Sequence, residues 1–527
     1  MSDEKREFIV YTPDAETAQS ILDDLTKSGS SSPESVPARK VKIADAREIN
    51  PTSTNYFLTK EEARLLQQDP RVGEVLDIVE VKPFKRAFQT GSFPKTSGST
   101  GNRGNWGLIR HIAATNVFGT FTADPGRTYD YVLDGTGVDV VIIDSGIQPD
   151  HPEFLDDEGN TRVQQINWFT QSGVFGTQPN GFYADYEGHG THVASVVAGK
   201  TFGWAKNAQI YSIKLTALAG PTDPFPGLNV NQAMDVLLGW HQSKNGSRPT
   251  VVVNAWGYSI FWDTTQDAFT FDPTGSGAYY SVNGGDYRGT LWTGAAKDAA
   301  KGHTGGDYDT NIYQFPYQSA SLDSDIAILT AAGIMVVNAA GNDSTKADAL
   351  GGSDYNNYIT LEGLENFYYH RGGSPNVKTL PGFQVGALGT TTVGPANSTE
   401  FKAAYSNAGP GVNIYAAGSA IMGAMSDVNI YSGEQPYNPD STYLQHSLNG
   451  TSFSAPQVAG LVALLLQVHP KWRPAEVVNW VIDQTKAVMY DSGLDDDFTV
   501  SNSLWGGSNS LAYTPFGVRK TYGISTT

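Results

Sequence analysis

Val138-Asp-Val-Val-Ile-Ile-Asp144-Ser-Gly146 is the stretch on which the fold turns. Its first six residues are all Val or Ile but for one, too apolar for a strand with one face in water, and read as a strand buried on both faces. Runs of the same kind recur at Ile210 to Leu215, Thr250 to Val253 and Ile334 to Val337. Helical stretches separate or follow them at Val193 to Ala198, Ala233 to Trp240, Ser321 to Ala332 and Ala455 to Val468. Strands alternating with helices predict an α/β protein with a parallel sheet covered on both faces. Asp144 closes the first strand at its C-terminal end, where ligands bind in open parallel sheets. An acid there also caps the turn that follows, and the motif alone does not separate the two roles.

Two further segments lie at helix starts. In Gly188-His189-Gly-Thr-His192-Val-Ala, glycines leave the His189 imidazole approachable. Two histidines three apart also suggest a metal face, but His-Glu-x-x-His is absent, and His192 reads as a histidine hydrogen-bonded inside the fold. In Asn449-Gly450-Thr451-Ser452-Phe453-Ser454-Ala455-Pro456, small residues crowd one hydroxyl ahead of a long apolar helix. Free backbone N–H groups and a partial positive charge at that terminus suit a nucleophile whose attack builds negative charge nearby. Serine is a weak nucleophile until a base takes its proton, histidine is that base, and a carboxylate fixes the tautomer. Asp144, His189 and Ser452 follow in that order, 45 and 263 residues apart. Asn342, in Val336-Val-Asn-Ala-Ala-Gly341-Asn342, is a candidate oxyanion donor after a buried strand.

Asp-Ser-Gly, His-Gly-Thr-His-Val-Ala, Ala-Ala-Gly-Asn and Gly-Thr-Ser-x-Ser-Ala-Pro, in this order, resemble the subtilisin-like serine peptidases. The resemblance implies a three-layer subtilisin-like α/β fold with Asp144 as orienting acid, His189 as general base, Ser452 as nucleophile and Asn342 as oxyanion donor. It implies polypeptide substrates, paired as an added strand along Ala255-Trp256-Gly257. Ala255 departs from the family's usual serine, and Phe453 from the methionine common in bacterial subtilisins. Trp106-Gly-Leu-Ile-Arg-His and Tyr405-Ser-Asn-Ala-Gly-Pro resemble other family segments. The short loop Lys200-Thr-Phe-Gly-Trp-Ala-Lys206 is nearer the proteinase K branch than the calcium-binding loop of bacterial subtilisins. Glu153 alone is weak support for a structural calcium, so no metal and no cofactor are expected.

Residues 1–88 carry a pattern of their own. Phe8 to Tyr11, Val41 to Ile43 and Val75 to Val81 read as strands, Ala15 to Leu25 and Lys60 to Gln68 as helices, the second with Thr59 and Glu62 as a capping box. The order fits a ferredoxin-like α+β plan, β-α-β-β-α-β. Leu65-Leu-Gln-Gln-Asp-Pro-Arg-Val-Gly-Glu-Val resembles the end of the inhibitor-type propeptide of many subtilases. That resemblance implies a self-inhibited proenzyme, with the propeptide as intramolecular inhibitor and Val79 to Phe84 as the strand in its cleft. Residues 89–104 read as a flexible linker holding the processing region: from Phe88 to Gly104, 12 of 17 residues are Gly, Ser, Thr, Pro or Asn. Residues 105–527 then form the catalytic domain, with insertions near 260–318 and 344–381.

Composition narrows the alternatives. The 527 residues carry 54 acids and 35 bases, a net charge of −19, and no local basic patch, which argues against nucleic acid. No cysteine is present, which excludes disulfides, thiolate metal sites and a cysteine nucleophile. The longest apolar run, near Val458 to Val468, is too short to span a bilayer, and the opening residues carry no secretory signal, so no membrane partner and synthesis in the cytoplasm are expected. A virion or other assembly protein keeping the subtilase fold is the alternative reading. An α/β-hydrolase esterase fails for want of Gly-x-Ser-x-Gly. Oligomeric state and cleavage specificity are not legible.

Overall fold

The computed structural model describes residues 5–26, 37, 39–46, 52–77, 87–96, 103–118, 127–168, 181–225, 227–244, 248–263, 269–271, 281–282, 285–286, 312–352, 354–356, 358–361, 366–377, 379–393, 399–493 and 503–515. The chain divides into two compact units, Met1–Lys85 and Arg86–Thr527.

The first unit contains β1 (Arg6–Tyr11), α1 (Ala15–Thr26), β2 (Lys42–Ala46), β3 (Ser53–Leu58), α2 (Lys60–Leu66) and β4 (Glu74–Asp77). Its strands form one antiparallel sheet in the order β2-β3-β1-β4, a ferredoxin-like arrangement. Phe8, Val10, Ile21, Leu25, Tyr56, Leu58 and Leu66 make its own core. The capping box at α2 is closed both ways: Glu62 N–H donates to Thr59 Oγ1 at 3.2 Å, and Thr59 N–H donates to Glu62 Oε2 at 2.7 Å. The strand expected over Val75 to Val81 is described only to Asp77, and the rest lies outside the described residues.

Of the expected linker 89–104, residues 89–96 and 103–104 are packed into the second unit, and residues 97–102 lie outside the described residues. Strand β5 (Ala87–Gly91) pairs antiparallel with β6 (Arg127–Tyr131). Phe93 is wholly buried, Lys95 is ion-paired to Glu400 at 2.5 Å, and Gly104 N–H donates to Ser92 O at 2.7 Å. Composition misleads here because it averages over many small residues, while two side chains, Phe93 and Lys95, fix the segment in the second unit.

The second unit is built on an eight-stranded sheet. Its members are β7 (Asp139–Asp144), β8 (Val163–Gln165), β9 (Gln209–Lys214), β10 (Thr250–Asn254), β11 (Met335–Ala339), β12 (Phe383–Val393), β13 (Thr399–Lys402) and β14 (Ile414–Ala417). The order is β13-β12-β11-β10-β7-β9-β8, with β14 also paired to β12. Every pairing is parallel except β12 with β13. Alternate side chains enter two cores, as the period of a strand requires. Val140, Ile142, Val251, Val253 and Val337 face one core, and Val141, Ile143, Val252 and Val336 face the other. Helices His189–Ala198 (α3) and Thr451–Val468 (α6) cover the first core, and Val230–Ser243 (α4) and Ala320–Ala331 (α5) the second. The three layers are those expected.

Helix α6 spans 18 residues, longer than the apolar run that marked it, and is long and apolar enough to cross a membrane. It is instead the central helix of the body, with 83% of it buried. The two insertions share backbone: Ser259–Asp263 pairs with Ile312–Pro316, while Phe269–Phe271 pairs with Tyr358–Leu361 and the latter with Asn366–Tyr368. A strand of one insertion thus adds to a sheet of the other. Most of the first insertion lies outside the described residues.

Candidate active site

Three adjacent strands, β11, β10 and β7, end at one edge of the sheet, and two helices, α3 and α6, begin there. Asp144 is the last residue of β7, its side chain 1% exposed. His189 is the first residue of α3. The turn before it needs left-handed backbone at Gly188, where φ is 103°, and any Cβ there would meet Met425 and Asn429. Asp144 Oδ1 lies 2.8 Å from His189 Nδ1 and accepts a hydrogen bond from its N–H, leaving Nε2 outermost. Burial disfavours a charged imidazole, but the Asp144 carboxylate outweighs it, with Glu187 and Asp185 adding, and His189 is raised to about 9.

Asp185 builds this turn. Buried, it accepts from the backbone N–H of Glu187, Gly188 and Thr191 and from the hydroxyls of Thr191 and Ser145, at 2.6 to 3.0 Å. Burial raises its pKa, against the pull of those donors. Glu187 Oε2 accepts from His189 N–H at 2.7 Å, and its Oε1 from the Tyr431 hydroxyl at 3.3 Å. Neither acid is apparent from motif reading, since neither stands at the cap position before His189, which is Gly188. His192 sits wholly inside, its Nε2 at 3.1 Å from both Ile421 O and His446 O, and burial lowers it to about 3.

Ser452 is the second residue of α6, after Gly450 and Thr451. Its hydroxyl donates to the carbonyl of Ala255, just after β10, at 2.6 Å rather than to His189. The two residues remain close, since the His189 ring lies 5.5 Å from the ring of Phe453, the next residue. Asn342 is held by its oxygen: Oδ1 accepts from both Thr451 N–H and Thr451 Oγ1 at 2.9 Å. The amide nitrogen is thereby aimed away from Thr451. Thr451 Oγ1 also accepts from Gly341 N–H at 3.2 Å, and position 341 suits glycine because φ is 101° and a Cβ there would collide with Asn407. Asn407 in turn accepts from the N–H groups of Asp343 and Thr345.

Trp256, Gly257, Asn342, Thr451 and Ser452 line one open cleft of about 470 Å³, with Tyr258, Pro316 and Gly373 on its far wall. Ala255 is buried beneath it, and Trp256 Nε1 donates to Ile143 O at 2.7 Å, which anchors the wall to β7. Tyr258, Tyr317 and Ser374 are joined backbone to backbone, so both insertions are rooted at this wall. In the first insertion the side chains of Phe261, Trp262, Phe269, Tyr279 and Tyr280 lie outside the described residues, while in the second Tyr369 is buried and Arg371 lies over the Tyr368 ring. The seven residues singled out in the sequence, Asp144, His189, Ser452, Asn342, Ala255, Trp256 and Gly257, thus meet at one edge.

Glu153, the one carboxylate considered for calcium, is wholly buried and accepts from Thr201 N–H, Phe202 N–H and the Tyr437 hydroxyl. Both of its oxygens thus accept from protein donors. No group of three or more potential metal ligands occurs among the described residues.

Among known proteins, this chain is similar to ones named as extracellular and cuticle-degrading proteases. The extracellular serine proteinase of Thermus sp. (strain Rt41A) is 25% identical over 86% of this chain and 74% of its own length. The cuticle-degrading protease of Metarhizium anisopliae is 25% identical over 82% of this chain and 75% of its own. A crystal structure of a cold adapted subtilisin-like serine proteinase aligns with 79% of this chain and 98% of its own at 19% identity, with a TM-score of 0.46. The alternative of a structural or assembly protein finds no counterpart in these relatives, named as proteases. The subtilase (peptidase S8) profile matches residues 135–504, and the chain belongs to the subtilase family, as a serine endopeptidase.

Proposed function

We propose that this chain hydrolyses peptide bonds through an acyl-enzyme formed on Ser452. His189 Nε2 takes the Ser452 proton as Oγ attacks the scissile carbonyl, and later returns it to the leaving amine. Asp144 holds the imidazole in the tautomer that leaves Nε2 free and stabilises the imidazolium. The Asn342 side-chain amide and the Ser452 backbone N–H receive the charge on the carbonyl oxygen. Extended polypeptide segments bind along Ala255–Gly257, their side chains entering the adjoining cleft. The observation that carries this reading is the 2.8 Å contact between Asp144 and His189 beside a helix start bearing Ser452. Before attack, the Ser452 hydroxyl must exchange its hydrogen bond to the Ala255 carbonyl for one to Nε2.

The N-terminal unit serves in this reading as a propeptide that inhibits the site until it is cut away. No bound metal or other cofactor is part of the chemistry proposed.

A fluorophosphonate probe tests the assignment. Phosphonylation should map to Ser452 by mass spectrometry and vanish in Ser452→Ala, whose kcat should fall on the order of 10⁵- to 10⁶-fold, a magnitude taken from subtilisin itself. A mature, folded enzyme that cleaves peptides without labelling at Ser452 would rule the mechanism out.

A further inference from the structure

We propose that residues 87–96 are a permanent part of the catalytic body, so that the mature enzyme begins at or before Ala87. The inference rests on the reading of the N-terminal unit as a cleaved propeptide, and moves the cut out of the 89–104 stretch that composition suggests.

Four contacts hold the segment. Five residues of β5 pair with five of β6, from Ala87 opposite Tyr131 to Gly91 opposite Arg127. Gln89 Oε1 accepts from Lys206 Nζ at 3.2 Å, and the other oxygens on that nearly buried ammonium are the carbonyls of Lys200 and Thr201. Phe93 is fully buried in the first core, in space that exists because residue 104 is glycine: a Cβ there would collide with the Phe93 ring. Lys95 Nζ lies 2.5 Å from Glu400 Oε1, with side chains 0% and 1% exposed, over the rings of Trp106 and Phe118. Arg110 binds the other oxygen of Glu400 at 2.6 Å.

A buried carboxylate shared by two cations is built to keep both. Scission C-terminal to Lys95 would assign Phe93 and Lys95 to the departing fragment, which could leave only by stripping them from the core. A cut between Ser92 and Gly104 would also leave its ends tied by the Gly104-to-Ser92 hydrogen bond at 2.7 Å, giving a nicked protein and no release. Scission N-terminal to Ala87 carries neither cost. In that step one peptide bond breaks and one water is consumed: its hydroxyl completes the new carboxylate of the propeptide, and its proton the new amine of the body.

The test is the intact mass and N-terminal sequence of the matured enzyme, alongside native trypsin digestion of uncleaved Ser452→Ala. The expected mature start is at or before Ala87. In the uncleaved chain, cutting after Lys95 should be at least roughly 100-fold slower than in the urea-unfolded chain. An active enzyme that begins between residues 88 and 106 overturns the proposal. If the wild-type chain stays whole yet labels at Ser452, the propeptide reading fails by itself. The trypsin rate then decides whether 87–96 is integral, and native cutting after Lys95 within about tenfold of the unfolded rate overturns that too.

Discussion

The two helices that deliver the site begin in opposite electrical surroundings. At the start of α3, three carboxylates converge: Asp144 on the His189 ring, Glu187 on its backbone N–H, and Asp185 on the turn before it. At the start of α6 the immediate partners are neutral, with Thr451 held by the Asn342 amide oxygen and by Gly341. The nearby Asp343 carboxylate is turned to the Asn407 amide at 2.9 Å. Both termini present the positive end of a helix dipole, and each is used differently. At α3 the dipole is answered by protein anions, which favour an imidazolium. At α6 it is left for an anion that arrives only in the transition state, so the helix start is a ready acceptor of charge.

The contrast is broken most severely at Asp144. Asp144→Asn removes the charge that offsets imidazolium formation and lets the ring adopt the wrong tautomer, and kcat should fall about 10⁴-fold with the fold intact, measured on a chromogenic peptide. A loss of only a few-fold would mean that Glu187 and Asp185 suffice without it. The α6 side is tested by Asn342→Ala, which removes a donor and leaves both Thr451 donors without their acceptor. The expected loss is about 10² to 10³ in kcat with KM little changed, the range known for subtilisin's own oxyanion asparagine. An effect confined to KM would place Asn342 in substrate binding alone.

How far these arrangements could be read in advance follows the distance over which each acts. Asp144, His189, Asn342 and Ser452 sit in short glycine-flanked motifs, because the chemistry needs small neighbours, and these are visible one segment at a time. The parallel sheet is equally plain, since strands such as Val251 to Val253 are buried on both faces and are therefore mostly apolar. Strand β3 is faint in the sequence: Ser53–Leu58 has only the short apolar run Tyr56-Phe57-Leu58, preceded by the polar Thr54 and Asn55, which are buried with it. Asp185, Thr451 and Asn407 act through partners brought near by folding, such as the 3.0 Å bond from Thr345 to Asn407 across 62 positions. The pairing of Phe269–Phe271 with Tyr358–Leu361 and the burial of Lys95 against Glu400 have the same origin, contacts between segments with no local signature.

The smallest expected effect isolates the charged side of the contrast. Glu187→Gln keeps one oxygen to accept from His189 N–H and presents an amide NH2 to the Tyr431 oxygen, while removing one negative charge from the group around the base. With His189 at about 9, the wild-type kcat/KM should rise with pH along a limb centred there, because only the neutral ring accepts the Ser452 proton. In Glu187→Gln the limb should move down by about half a pH unit, the scale of one charge several ångströms away under partial screening, so the variant gains on the wild type near pH 7 and matches it above the limb. Stability runs the other way. The protonated ring's contribution is full below its ordinary 6.5 and is lost as pH rises through about 9, so the wild type should become less heat-stable over the window in which it becomes more active. Glu187→Gln should narrow both changes together, since one pKa governs them. A pH–rate limb that stays in place while the melting profile shifts would separate Glu187 from the base and leave it only a structural acceptor at the start of α3.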